Sequence, residues 1–325
     1  MKILNKPLDR DFVILNLTDT QLSSTDFIPG VNTVKQIMTG TTKELISRIQ
    51  PDLITHTGDL SYGEDVSVYE FYAKFMDSFN IPWAFVWGNH DNQAGAEAIR
   101  KCGEVFRDHP LCLFEPGDPA LGSGNYVIGI AEEEKPVEAI IMMDSHDRAP
   151  CGDGDSWAKL TPEQMSWYAD IIADLRSRGY AESTIMTHIP IYAYRDAYAA
   201  AAKDPERKVG MWESYGTSAW NPGYEDSFGV KFEGICSFEE DDGVLEEILR
   251  LGHTKNIVVG HDHINNFSIG YKGIRLSYGL KTGCGCYWNE QLNGGTVIKV
   301  NSDGVCDMYH EYVDVHDVLK YYEDE

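Results

Sequence analysis

Repeated alternation of short β-branched runs with amphipathic segments is the feature that most constrains how this chain can fold. Residues 12–17 read as a strand and 34–49 as a helix; a strand at 52–57, a helix at 66–79 and a strand at 83–87 follow. Such a β-α-β-α-β order sets strands parallel with helices as crossovers, and so predicts an α/β fold. The middle is richer in strands, with 125–130 and 137–143 joined by the turn sequence Glu-Glu-Glu-Lys-Pro. Thr161-Pro-Glu-Gln suits the start of a helix running to 178, in which Met165, Tyr168, Ile171, Ile172 and Leu175 share one stripe. Strands at 183–187 and 257–259 and hairpin-like segments complete the chain.

A chain of 325 residues fits one large α/β domain or two smaller ones, and with no repeat or low-complexity linker we read 1–325 as one. At this size the core needs no disulfide scaffold. Asp and Glu number 52 against 27 Lys and Arg, a formal charge of −25. That balance opposes nucleic acid or an anionic membrane as the main partner, though a bound metal can reverse the sign locally for a small anion. The seven cysteines are odd in number and form no paired C-x-x-C pattern, so reduced thiols are expected. Neither a membrane span nor the apolar core of a signal peptide is visible, and the expected location is cytoplasmic. The acidic tail after Val313 reads as a solvated end.

Regular rhythm breaks between Pro190 and Gly234, where aromatic residues are dense: nine lie between Pro190 and Ile235. Long irregular stretches in compact domains are usually functional or disordered, and an aromatic-rich one is a poor candidate for disorder. Two readings stand: an excursion packed over the sheet edge, or a wall of a substrate cleft in which Tyr192, Tyr194 and Arg195 contact the substrate.

Chemistry-bearing residues follow the predicted strands, where open α/β sheets place their ligands. The loops are Thr18-Asp19-Thr20-Gln21, Thr57-Gly58-Asp59-Leu60-Ser61-Tyr62, Trp87-Gly88-Asn89-His90-Asp91, Thr187-His188 and Gly260-His261-Asp262-His263. Carboxylate, imidazole and amide oxygen suit divalent or trivalent metals. Asp19, Asp59, Asn89, His188, His261 and His263 are more ligands than one ion needs, and two ions bridged by one carboxylate would use them all. His90 is then available as a general acid, and Asp91 as a supporting partner or a turn residue capping the next helix.

In order and spacing, Asp19-x-Gln21, Gly58-Asp59, Gly88-Asn89-His90-Asp91, His188 and Gly260-His261-Asp262-His263 resemble the signature of the calcineurin-like metallophosphoesterases. The resemblance implies a four-layer α/β/β/α sandwich of two mixed β-sheets flanked by helices, with two metal ions at one edge. It places Asp19, Asp59 and His263 on the first metal, Asp59, Asn89, His188 and His261 on the second, and makes His90 the proton donor to the leaving oxygen.

One departure stands out. Most of that family has His where this chain has Gln21, and a neutral amide is a poorer ligand. Gly58-Asp59-Leu60-Ser61-Tyr62 is, however, similar to the G-D-x-x-Y motif of purple acid phosphatases, in which the tyrosine ligates as phenolate. Because free tyrosine titrates near ~10, a strongly charged ion is required, which implies iron in the first site and iron, zinc or manganese in the second. Tyr62 as ligand, and Gln21 as a weak ligand or bystander, remain alternatives to Tyr62 as a packing residue.

The expected function is hydrolysis of small phosphomonoesters by metal-bound hydroxide. Hydrolysis of cyclic nucleotides or other small diesters is the alternative within the same chemistry, and a non-catalytic binding scaffold the alternative of another class. Oligomeric state is not legible.

Overall fold

Phe12–Leu17 forms a strand over the residues that its β-branched run predicts, and the alternating order continues from it. The computed structural model describes residues 1–63, 65–201, 227–319 and 322. Its strands are β1 (Lys2–Asn5), β2 (Phe12–Leu17), β3 (Leu53–Thr57), β4 (Trp83–Val86), β5 (Tyr126–Glu132), β6 (Lys135–Met142), β7 (Arg148–Cys151), β8 (Gly154–Trp157), β9 (Glu182–Met186), β10 (Thr254–Val259), β11 (Ser268–Tyr271), β12 (Ile274–Tyr278), β13 (Gly294–Val300) and β14 (Cys306–Tyr312). Its helices are α1 (Thr33–Ile49), α2 (Val66–Asp77), α3 (Asn89–Asn92), α4 (Ala96–Arg107), α5 (Pro162–Arg178), α6 (Ala193–Ala201), α7 (Val244–Leu251) and α8 (Val315–Leu319).

Two mixed sheets form the centre. One runs β1-β5-β6-β9-β10-β12-β11, the other β14-β13-β2-β3-β4, and β7 and β8 make a separate hairpin. Strands β2, β3 and β4 are parallel, as are β6, β9, β10 and β12, so each set sends its C-terminal ends to one sheet edge. Period-two alternation sorts the residues of the larger sheet between its faces. Ile128, Ile130, Ile140 and Met142 join Ile14, Ile298 and Val300 in the layer between the sheets. Val127, Ala139, Ile141 and Met143 face outward against Tyr168, Ile172 and Leu175 of α5. Helices α1, α2 and α4 cover the smaller sheet, completing the α/β/β/α sandwich.

Thr161 caps α5 as its sequence predicts: its hydroxyl accepts from Gln164 N at 3.2 Å, and Gln164 Oε1 accepts from Thr161 N at 2.9 Å. The chain after Val313 departs from the expected solvated tail. Val315 and Val318 of α8 are buried, and Val318 packs at Gly40 of α1, because the acids there alternate with an apolar helical stripe. All seven cysteines are free thiols. Among the described residues no helix is long and apolar enough to cross a membrane. Of the aromatic-rich stretch 190–234, residues 202–226 lie outside the described residues.

Candidate metal centre

Five strands end together: β2 delivers Asp19, β3 Asp59, β4 Asn89 and His90, β9 His188, and β10 His261 and His263. All six candidate ligands are buried. Ligand atoms of Asp19, Asp59 and His263 lie within 4.8 Å of one another, and so do those of Asp59, His188 and His261. Asp59 therefore belongs to both groups. Cys236, His261 and Asp262 are equally close, and Asp262 Oδ2 accepts from Cys236 N at 3.1 Å and from the Tyr278 hydroxyl, bonds that fix the loop from behind.

Close approach of these loops dictates their glycines. A Cβ on Gly88 would strike the Asp59 carboxylate and backbone nitrogen, and one on Gly260 would strike Thr18 Oγ1 and Asp19 Oδ2. Asp19, Gln21, Asp59 and His261 themselves adopt φ of 55°, 45°, 56° and 80°, a left-handed region costly for side-chain-bearing residues and typical of functional turns.

Hydrogen bonds orient the imidazoles. His188 Nδ1 donates to the Thr57 carbonyl at 2.7 Å and His263 Nδ1 to the Tyr287 carbonyl at 2.7 Å. A carbonyl can only accept, so each ring holds its proton there and turns Nε2 toward the carboxylates. His188 Nε2 is 3.0 Å from Asn89 Oδ1 and 3.3 Å from Asp59 Oδ2, and His263 Nε2 is 3.5 Å from Asp19 Oδ1. Such convergent acceptors call for a cation between them. Buried His261 Nε2 and Gln21 Oε1 have no hydrogen-bond partner, which also fits residues arranged to hold metal.

The electrostatics agree in direction. Burial raises the Asp19 carboxyl, with the Asp59 charge adding to it and His188 opposing. For Asp59, burial also pushes upward, but His188 overrides it and the net shift is down. Burial pushes His188 down, yet the Asp59 carboxylate holds it up at about 9. The pocket favours positive charge between these groups.

Asp91 lies behind the site rather than in it. Its Oδ2 accepts from the backbone nitrogens of Asp59, Gly88 and Leu60 at 2.8, 2.9 and 3.3 Å, and its Oδ1 from Ser61 N at 3.1 Å and the Tyr69 hydroxyl at 2.6 Å. It ties two ligand loops together and caps α3, so it stands as a supporting partner and capping residue and not as a group that meets the substrate. His90 stays at the opening, its Nε2 3.9 Å from Asp59 Oδ2 and its ring edge-on to Tyr62 at 5.2 Å. Burial, then Cys286 and Asp59, raise the Tyr62 hydroxyl to about 12. Gln21 Nε2 donates to Asp59 Oδ2 at 3.3 Å.

Of the expected substrate contacts, the structure corrects Tyr194. Tyr194 is fully buried, its hydroxyl donating to the Ile257 and Ser277 carbonyls at 2.9 and 3.1 Å. Helical spacing puts Tyr194, Ala197 and Ala201 on the face of α6 that meets the sheet. Arg195 is held by Ser237, Nε donating to Oγ at 2.8 Å and an Nη to the carbonyl at 3.2 Å, and the Tyr192 ring lies beside that guanidinium. Nearness in sequence to His188 did not turn the Tyr194 side chain toward it.

Other residues meet the site unannounced. Lys281, buried to 2%, donates from Nζ to the Asp19 carbonyl. Tyr287 stacks on His263 at 4.1 Å while its hydroxyl donates to Glu233 Oε2 at 2.8 Å. The β7–β8 hairpin brings Trp157 edge-on to His261 at 4.3 Å, with Arg148 over the Trp157 ring at 3.9 Å. A lysine set in the apolar, glycine-rich run Leu280–Cys286 was the one signal available for Lys281; the others carried none.

Residues 12–265 match the calcineurin-like phosphoesterase family. The chain is 26% identical to "Probable inactive purple acid phosphatase 29" of Arabidopsis thaliana over 72% of this chain and 60% of that protein. It is 26% identical to "Phosphatase DCR2" of Saccharomyces cerevisiae over 68% of this chain and 37% of that protein, so it spans less than two thirds of either relative. A dimetal phosphatase from Danio rerio shares the fold, with a TM-score of 0.54 at 10% identity over 94% of this chain and 100% of that one. With most of its length inside the family match and its five ligand-bearing loops brought together from the ends of both sheets, the chain belongs to the calcineurin-like phosphoesterases.

Proposed function

We propose that the protein is a dinuclear metal-dependent hydrolase of phosphomonoesters. The observation that carries this reading is that Asp59 belongs to both ligand groups while His90 Nε2 stands 3.9 Å from its Oδ2. Asp19, Asp59 and His263, with Tyr62, would hold one ion, and Asp59, Asn89, His188 and His261 the other. When bound, such a pair brings the pKa of water toward ~7 and withdraws charge from phosphoryl oxygens.

The chain's own residues do the rest. Thr57 and Tyr287 fix the tautomers of His188 and His263, and Asp91 keeps the Asp59 and Asn89 loops at one spacing. His90 gives its proton from Nε2 to the leaving oxygen as the P–O bond breaks. The oxygen of water forms the new bond to phosphorus, and the proton it loses restores His90. Products are an alcohol and inorganic phosphate. Small diesters could use the same groups.

Protein purified without chelator is analysed for metals and then offered alkyl phosphates, aryl phosphates and cyclic nucleotides. Two equivalents of metal and turnover of monoesters are expected, with His90→Ala losing about 10²–10⁴-fold on alkyl esters and far less on activated aryl esters. Full metal content with no turnover of any ester would instead favour a binding scaffold, in keeping with the word "inactive" in the Arabidopsis relative's name.

A further inference from the structure

Among the described residues Arg148 is the one arginine whose guanidinium has neither a hydrogen-bond acceptor nor an ion-pair partner; the other nine are all engaged. We propose that Arg148 is a specificity-determining residue that binds a carboxylate on the organic part of the substrate, making the preferred substrates phosphomonoesters of hydroxy acids; this rests on the phosphoesterase reading above.

Direct contacts join Arg148 to a ligand. Strands β7 and β8 set Arg148 opposite Trp157, and residues directly opposite share one face of a hairpin. The Trp157 ring meets the His261 ring edge-on at 4.3 Å, and the Arg148 guanidinium lies over the same indole at 3.9 Å. From His261 through Trp157 to Arg148 the side chains pass from buried to half-buried to exposed, so this row leads from the ligands out to solvent.

The hairpin is also fixed at its base. Ala158 N donates to the Asp147 carbonyl at 3.0 Å, closing the pair of strands. Just before them, Ser145 Oγ accepts from the backbone nitrogen of Ile189, the residue after His188, at 2.9 Å. The charge of Arg148 reaches the site as well: burial, His188, His90 and Arg148 lower the His261 ring against the pull of Asp59.

The chemistry of the guanidinium selects the occupant. Acids are not scarce, since Asp147, Asp153 and Asp155 lie on or beside the hairpin and the formal charge is −25, yet none of them pairs with Arg148. An indole face has no lone pair to offer, so the five N–H donors stay free while the ring holds the group in place. A planar guanidinium meets a carboxylate through two parallel hydrogen bonds. One positive charge balances one carboxylate, whereas a second phosphate would bring nearly two charges toward three aspartates. The phosphoryl oxygens would lie on the ions, and the indole sets Arg148 one ring further out, where the rest of the substrate passes.

Phosphonates test this without turnover, since their P–C bond is not hydrolysed by this chemistry. Metal-loaded protein is titrated calorimetrically with methylphosphonate, and with phosphonoacetate, 3-phosphonopropionate and 4-phosphonobutyrate, each acid beside the alkylphosphonate of equal length. Wild type is compared with Arg148→Met, which keeps a long apolar stem and loses the charge. Wild type should bind at least one of the acids about tenfold more tightly than its alkyl match. Arg148→Met should lose that preference while holding methylphosphonate within about twofold. No preference by wild type at any of the three lengths would overturn the proposal. A preference that survives in Arg148→Met would also overturn it, placing the carboxylate on the metals instead. So would a variant that weakens methylphosphonate as much as the acids, since the arginine would then hold the phosphoryl group itself. Because binding is read directly, an absence of ester turnover would count against the phosphoesterase reading and leave the result for Arg148 intact.

Discussion

The carboxylate of Asp91 accepts a hydrogen bond from the backbone nitrogen of Asp59 at 2.8 Å, joining the loop after β4 to the loop after β3. Five donors converge on this one buried side chain. An amide at that position has one acceptor and one donor group, so Asp91→Asn sets N–H groups against N–H groups. It should lower stability by about 1–3 kcal/mol and reduce metal affinity, although Asp91 touches no metal ligand atom. Denaturant unfolding and metal titration together check this; unchanged values in both would show that the loops hold their spacing without it.

Asp59 carries the second prediction. Because its carboxylate belongs to both ligand groups, Asp59→Asn should weaken both sites together, by more than about 100-fold in metal affinity. Titration of the variant with loss of one equivalent and retention of the other at native affinity would mean that Asp59 does not bridge.

Tyr62 is the third case. Its hydroxyl is pushed up to about 12, so an ion must be strongly polarising to draw a phenolate from it. Iron-loaded protein is expected to show a visible phenolate-to-iron absorption that Tyr62→Phe abolishes. If the absorption persists in the variant, the ring packs beside His90 and Gln21 or water completes the shell.

His56 gives a pH dependence that can be signed. It is fully buried beneath the loops, stacked on Phe85 at 5.3 Å, and burial above all lowers its pKa to about 3. The folded state keeps this ring neutral while the unfolded chain protonates it near ~6.5. Its contribution is thus whole above ~6.5 and is lost as pH falls toward 3, amounting to about 2 kcal/mol by pH 5. His56→Phe should flatten the fall in unfolding free energy between pH 7 and 5 relative to wild type. Identical slopes would show that the ring is protonated in the folded state as well.

The alternation of strands and helices and the ligand-bearing loops were legible in the residues themselves, while the four-layer sandwich was an expectation carried by the resemblance of those loops to a known family. Apolar, β-branched runs such as Phe12–Leu17 and Tyr126–Glu132 favour extended backbone by themselves, and loops where glycine precedes Asp59, Asn89 and His261 mark turns that only a small residue can enter. The directions of side chains beyond those turns were not legible. Tyr194 follows His188 by six residues yet points into the sheet, because α6 packs by its Ala197 and Ala201 face. Lys281 reaches Asp19 across 262 positions, and Trp157 reaches His261 from a hairpin that the sequence did not announce. Local backbone preference is written in neighbouring residues, but which side chain meets which depends on how separate sheets and helices bury their apolar faces together, and that is decided by packing over the whole chain.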